Sequence, residues 1–340
     1  MSGPAGHTAV AEAPAGLPGL GRRPLLSVVT PAYNEAQNLP VLHGRLGQVM
    51  AGVPVDWEWV VVDDHSADGT FAVAAGIAER DPRVRAIRLA RNFGAHTATK
   101  CGMDHARGDC AVLMAGDLQD PPEVLPRLLE RWAGGAQVVW AERERREGER
   151  ASTLAFARLY YLLMRHLVGI KEMPARGADC FLVDRRVLDA LRGFHEHNAS
   201  LLALITWMGF RQATISYAKQ ARLHGRSGWT LKKKLKLVVD SITSFSYFPI
   251  RAMSYLGFLT ALAGFGYAGL VILNAFRGHP IEGWSSLMVV VLVFSGIQML
   301  MMGVLGEYLW RALDEARRRP RYLIEAAVVR DLAADLGNGA

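Results

Sequence analysis

Two stretches near the C-terminus constrain this chain more than anything else in it. Residues 252–276 run for 25 positions without Asp, Glu, Lys, Arg or His, and residues 283–306 run for 24 more. As helices rising ~1.5 Å per residue, each would be about 36 Å long, enough to cross a hydrocarbon core of ~30 Å. Two buried helices of a soluble fold are the alternative, but uncharged runs this long are rare there. The sequence therefore predicts one transmembrane helix over 252–276 and a second over 283–308, joined by the polar turn Arg277-Gly278-His279-Pro280-Ile281-Glu282. A mean hydropathy of +0.12 fits a water-soluble domain carrying a short membrane part and excludes a disordered chain.

Charge places the membrane approach. The chain carries a formal net charge of +7. Residues 219–251 contain Lys219, Arg222, Arg226, Lys232, Lys233, Lys234, Lys236 and Arg251 against Asp240 alone, so this segment holds the whole excess. A basic face spread over a domain would suggest nucleic acid. A basic segment before an apolar span points instead to anionic headgroups and to membrane topology. Arg311, Arg317, Arg318, Arg319 and Arg321 follow the second span. Both termini and the domain before the spans are thus expected on the cytoplasmic face of the inner membrane, in a multi-pass arrangement. Residues 221–250 read as a basic juxtamembrane segment. Within it Trp229–Phe248 carries Leu235, Val238, Val239, Ile242 and Phe245 at helical spacings, as an interfacial helix would. Residues 1–23, rich in Ala, Gly and Pro and without an apolar core after a basic start, read as a disordered leader rather than a signal peptide. Residues 309–340 read as a cytoplasmic tail.

Residues 24–220 alternate strand-like and helix-like patterns. Leu25–Thr30, Trp57–Val62, Val84–Ala90, Cys110–Ala115 and Gln137–Ala141 are continuous apolar runs. Glu35–Ala51, Asp68–Arg80, Ala95–Arg107 and Pro121–Trp132 have helical spacing, with Asp68 a candidate N-cap. Continuous apolar strands between amphipathic helices predict an α/β domain with a Rossmann-like, mostly parallel sheet covered on both faces. Ligands of such sheets bind beyond the carboxyl ends of the strands. There the sequence places Pro31-Ala32-Tyr33-Asn34-Glu35, Asp63-Asp64-His65-Ser66, Arg91-Asn92-Phe93-Gly94, Gly116-Asp117-Leu118-Gln119-Asp120 and Glu142-Arg143. The first turn lacks Gly-x-Gly-x-x-Gly and no P-loop occurs, which disfavours dinucleotide and P-loop chemistry. Phosphate binding without a glycine cradle needs another positive charge, and strand-end carboxylates can hold Mg²⁺ or Mn²⁺ for that purpose. Asp117 is the best candidate, with Gln119 a neutral oxygen ligand beside it. Cys101, Cys110 and Cys180 fit no zinc spacing or disulfide framework.

In combination, TPAYNE, VVDDHSADGT, RNFG, GDLQDPPE and GEYL resemble family 2 glycosyltransferases of the polyprenyl-phosphate type, such as dolichol-phosphate mannose synthases and bactoprenol glucosyltransferases. The match runs in order over about residues 25–325. HGRSGWTLKKKLKLVVDSITSFSYFPIR resembles the membrane-associated part of the bactoprenol group, which typically carries two C-terminal transmembrane helices. The resemblance implies a GT-A fold and an enzyme that moves a sugar from a nucleotide-sugar to polyprenyl (undecaprenyl) phosphate, with glucose from UDP-glucose the leading donor. By motif, Pro31, Tyr33 and Glu35 would line the base and ribose pocket, with Asp64 near the base or ribose. Asp117 and Gln119 would ligate the metal, Arg143 would meet the acceptor phosphate, and Asp179 would lie near the donor sugar. Arg222 and Arg226 are further candidates for the acceptor phosphate. Two positions depart from the family pattern: Ala115 where an Asp is usual, and Gly228 where a Lys is common.

Two rival readings are weighed against the same residues. A processive polysaccharide synthase would carry Gln-x-x-Arg-Trp, and the Arg-Trp here, Arg131-Trp132, lacks the glutamine. A membrane-anchored nucleotide-sugar-binding scaffold without catalysis is favoured by Ala115 and opposed by Asp117, Gln119 and Arg143. Mannose, N-acetylated and aminoarabinose-type sugars remain alternatives to glucose. Gly264, Gly266 and Gly269 on the first span permit close helix packing, so a homo-oligomer is allowed.

Overall fold

A computed structural model describes residues 22–144, 179–194, 200–220, 248–277 and 283–329. Residues 1–21 of the expected leader, the interfacial helix up to residue 247, Arg222, Arg226 and Gly228 lie outside the described residues, while Arg22, at the leader's end, pairs with Asp109 at 2.8 Å.

Among the described residues, eight strands form one sheet. They are β1 (Leu25–Ala32), β2 (Asp56–Asp63), β3 (Val84–Leu89), β4 (Cys110–Leu113), β5 (Val138–Arg143), β6 (Cys180–Asp184), β7 (Gln212–Tyr217) and β8 (Ile324–Val328). Their order is β7-β5-β6-β4-β1-β2-β3-β8. The β1–β2, β1–β4, β2–β3 and β5–β7 pairings are parallel, and β6 and β8 run against their neighbours. The mostly parallel GT-A sheet expected from the sequence is thus present. Strands such as Trp59-Val60-Val61-Val62 are wholly buried, which is why they read as continuous apolar runs rather than alternating ones.

Helices cover both faces. On one, α1 (Leu39–Ala51), α2 (Thr70–Arg80) and α4 (Leu125–Ala133) bury Leu42, Ile77 and Leu128 against Val28 and Trp59. On the other, α3 (Ala95–His105), α5 (Arg185–Arg192) and α6 (Leu201–Trp207) bury Met103, Leu188 and Ile205 against Val29 and Phe181. Glu35–Asn38, expected as the first turn of α1, form a turn before it. The N-cap position of α2 is Gly69, in the left-handed region at φ +85°, rather than Asp68. Asp68 instead ties two loops, accepting from Thr70 N–H at 3.1 Å and Ala36 N–H at 3.2 Å.

Two further described helices, α7 (Phe248–Phe276) and α8 (Trp284–Ala316), are long and apolar enough to cross a membrane. Their spanning windows have mean hydropathies of 2.0 and 2.3 and are not buried within the protein. Surface this apolar needs a lipid surrounding, and the protein is membrane-associated. A Cβ on Gly257 would lie 3.0 Å from Met301 Cε and one on Gly264 3.6 Å from Phe294 Cζ, so these two glycines face α8. Gly266 and Gly269 meet nothing within 4 Å and do not serve the hairpin contact.

Two features of the C-terminal part differ from the sequence expectation. Helix α8 continues to Ala316 instead of stopping near 308, and the tail then returns to the soluble domain. There Ile324–Val328 adds β8 antiparallel to β3. Tyr322, just before it, donates its hydroxyl to Asp104 on α3 at 3.1 Å, and Ala90 N–H donates to Leu323 O at 2.8 Å.

Candidate active site

The sheet order sets where a site can form. From β1 the chain moves outward through β2 and β3, then crosses back to place β4 on the other side of β1. The crevice beyond the carboxyl ends of β1 and β4 is the switch point where open α/β sheets bind ligands. The reversed strands β6 and β8 begin at this same rim, because they run against β4 and β3. Asp179 and Leu323 therefore arrive beside the ends of the parallel strands.

The β1 and β2 loops are stitched together. Asn34, at φ +58°, donates its N–H to Ser66 Oγ at 2.9 Å, and Glu35 N–H donates to Thr70 Oγ1 at 2.9 Å. Pro31 pairs with Val62 within the sheet. Tyr33 stands half exposed, at 50%, beyond the strand end, where a planar ring can lie against a base. Glu35 accepts from Asn38 Nδ2 and packs across Gly116, whose added Cβ would come 3.5 Å from Glu35 Cγ. Glu35 thus lies against the Asp117 turn.

Asp64 is buried, and both its oxygens are engaged. Phe93 N–H donates to Oδ1 at 2.7 Å and Gly94 N–H to Oδ2 at 2.8 Å. Burial pushes its carboxyl above the ordinary value of 3.8, while these two N–H groups pull it down. Asp64 therefore shapes the Arg91–Gly94 loop. His65, to which sequence reading assigns no role, also sits in the left-handed region, at φ +59°. Its Nδ1 is 3.0 Å from Leu89 O and 3.3 Å from Glu325 Oε2 on β8. Arg88 Nε lies 3.0 Å from the same Glu325 oxygen and 3.8 Å from Asp63 Oδ2. The C-terminal strand thus reaches the loop expected to hold the nucleotide.

The third part is the Asp117 turn. Leu118 is fully buried at φ +59°, an uncommon conformation for a non-glycine residue, held by its core packing. Asp117 is buried, and its Oδ1 accepts from Gln119 N–H at 3.2 Å. Gln119 O accepts from Gln220 N–H at 2.9 Å, which brings the end of β7 against this turn. Among the described residues, no three Asp, Glu, His or Cys side chains converge to form a metal cage. That donor set suits a hard cation shared with a bound diphosphate, since Mg²⁺ is commonly held by one or two carboxylates plus substrate phosphates and water.

The last part lies at the ends of β5 and β7. Arg143 Nη2 and Lys219 Nζ both contact one oxygen, Asp179 Oδ2, the lysine at 2.9 Å. Lys219 is also 3.9 Å from Asp120 Oδ1. Asp120 is fully buried and accepts from the Tyr217 hydroxyl, whose pKa is raised by burial and then by that carboxylate. Lys219 was legible in the sequence only as one charge of the basic segment. The structure makes it part of the rim.

The three cysteines are free and buried, and burial raises all three thiols. They offer no nucleophile at neutral pH.

The chain is also similar to known proteins over most of its length. The family described as Glycosyl transferase family 2 matches residues 27–192. The chain is 39% identical to an uncharacterized glycosyltransferase, YkcC, of Bacillus subtilis (strain 168), over 88% of this chain and 93% of that one. It is 34% identical to the uncharacterized glycosyltransferase sll0501 of Synechocystis sp., over 88% and 94%. It is 33% identical to the bactoprenol glucosyl transferase of Shigella phage SfV, over 88% and 98%. With similarity spanning both the sheet and the apolar helices, the chain belongs to glycosyl transferase family 2.

Proposed function

We propose that the protein transfers a sugar, glucose from UDP-glucose first among candidates, from a nucleotide-sugar to polyprenyl phosphate at the cytoplasmic membrane face, with inversion. The observation that carries this reading is one rim holding a nucleotide-side crevice, a buried Asp117 turn and a cationic corner, on a chain with two exposed apolar helices. Similarity to a bactoprenol glucosyl transferase over 88% of the chain supports the acceptor class.

The chemistry follows from the acceptor. A phosphate monoester is already anionic at pH 7, so no general base is required. The protein must hold acceptor oxygen and anomeric carbon in line. Tyr33, Glu35 and the Asp64-shaped loop hold the nucleotide. Asp117, with Gln119 beside it, would hold Mg²⁺ or Mn²⁺ against the diphosphate. Such an ion, when bound, acts as a Lewis acid for the departing nucleoside diphosphate. Arg143 receives the acceptor phosphate, and Arg222 and Arg226 extend the cationic path to the bilayer. Lys232–Lys236 anchor the domain to anionic lipid, and α7 and α8 cross the bilayer with both termini cytoplasmic.

Asp117→Ala in the purified full-length enzyme tests the metal assignment. The expected result is loss of transfer to polyprenyl phosphate in a protein that stays folded, with a stability cost of about 1–3 kcal/mol for the Gln119 N–H that loses its acceptor. Full activity overturns the assignment.

A further inference from the structure

The cationic corner contains a charge arrangement that recognition of a lipid phosphate by Arg143 alone does not explain. Arg143 enters from the end of β5 and Lys219 from just beyond β7, and both meet the same oxygen of Asp179, at the start of the reversed strand β6. The Arg143 and Lys219 side chains are only 18% and 16% exposed, whereas Asp179 is 48% exposed. The two cations are thus recessed, and the carboxylate sits over them on the open side. Behind them lies Asp120, fully buried, with Oδ2 lacking a hydrogen-bond partner and Oδ1 engaged by Tyr217. Asp120 is fixed in the core, while Asp179 stands half exposed at the rim.

We propose that Asp179 is a stand-in anion, occupying the place that the acceptor phosphate takes, and that Lys219 is the second cation of that phosphate site beside Arg143. This deepens the proposed function and rests on it for the identity of the acceptor. Two nitrogen donors that share one carboxylate oxygen are close enough for a single phosphate to bridge. A phosphate dianion matches two cations in charge, where the carboxylate supplies one negative charge. Charge-assisted bonds from Arg and Lys to phosphate are among the strong ones, and Arg adds a planar fork. The incoming phosphate displaces Asp179, so the two cations face an anion both before and after acceptor binding. The arrangement also keeps other anions from settling there, since each must compete with a tethered carboxylate.

The test uses full-length protein in detergent, with a short-chain prenyl phosphate as probe. Its binding is measured by calorimetry, and the KM values for donor and acceptor are measured separately. Lys219→Gln is expected to raise the acceptor dissociation constant roughly tenfold, the scale of one charge-assisted hydrogen bond, with donor KM unchanged. Lys219→Arg is expected to restore it. Asp179→Asn is expected to tighten acceptor binding several-fold, because the competitor is gone. Unchanged acceptor binding in Lys219→Gln overturns the proposal. So does Asp179→Asn that raises donor KM while leaving acceptor binding unchanged, since that assigns Asp179 to the sugar. Wild-type enzyme that binds the prenyl phosphate but never turns it over removes the proposed reaction and leaves the stand-in intact. Wild-type enzyme that does not bind it removes both.

Discussion

Replacing Asp64 by Asn separates the two things this carboxylate does. Its oxygens accept Phe93 N–H at 2.7 Å and Gly94 N–H at 2.8 Å, so the β3–α3 loop is folded onto the end of β2. An asparagine amide offers one acceptor oxygen, and its NH2 would face the other N–H. One bond becomes neutral, a loss of about 1 kcal/mol, and one buried N–H is orphaned at about 1–3 kcal/mol. The loop should therefore loosen by roughly 2–4 kcal/mol, or about 30- to 900-fold in its opening equilibrium. The global effect has another sign to consider. Burial holds the carboxyl above 3.8, so the folded state binds this proton more tightly than the unfolded chain does. Asp64 thus lowers net stability as pH rises through its raised value, and removing the charge relieves that cost. The combined expectation is a melting temperature little changed at pH 7, a large loss of amide exchange protection at Phe93 and Gly94, and a raised donor KM. In the parent enzyme, donor binding should weaken as pH falls toward the raised Asp64 value, because the ionised form makes the tie. Asp64→Asn with unchanged protection of both amides and unchanged donor KM would refute the argument.

Tyr322→Phe removes the hydroxyl bond to Asp104 while keeping the ring against α3. It should cost about 1 kcal/mol and speed proteolysis or amide exchange in residues 322–328, leaving the β1 and β2 amides protected. Gly108→Ala is expected to destabilise strongly. Its Cβ would lie 2.6 Å from both Cys110 O and Leu25 O, where backbone rather than a movable side chain must give way, at roughly 1–3 kcal/mol or more in thermal unfolding. An alanine variant as stable as the parent would contradict that packing.

Much of the rim was legible because strand ends carry their own signature. Trp57–Val62 runs into Asp63-Asp64, and Cys110–Ala115 into Gly116-Asp117. An apolar run followed by acidic and turn-forming residues marks a buried strand and its carboxyl end together. Strand direction was not legible, because Cys180–Asp184 is as apolar as its neighbours and nothing in its composition says that it runs backwards. That reversal is what brings Asp179 to the rim. Strand β8 escaped for a related reason: Ile324–Val328 is short, follows an arginine-rich stretch, and gains its pairing only from the open edge of β3. Lys219 was read as one charge of a membrane-facing segment because charge counting ignores that β7 ends beside Gln119. Asp64 was read as a ligand contact, and its ties to Phe93 and Gly94 come from residues distant in the sequence.

The central claim is the reaction, and mass spectrometry of the lipid product addresses it most directly. Purified full-length enzyme would be incubated with undecaprenyl phosphate, Mg²⁺ or Mn²⁺, and a panel of nucleotide-sugars. The account predicts an undecaprenyl phosphate heavier by one sugar residue, formed from one donor and with UDP-glucose the first candidate, in wild-type enzyme and not in Asp117→Ala. No glycosylated polyprenyl phosphate from any donor, with sugar appearing instead on another acceptor or only hydrolysed, would contradict it.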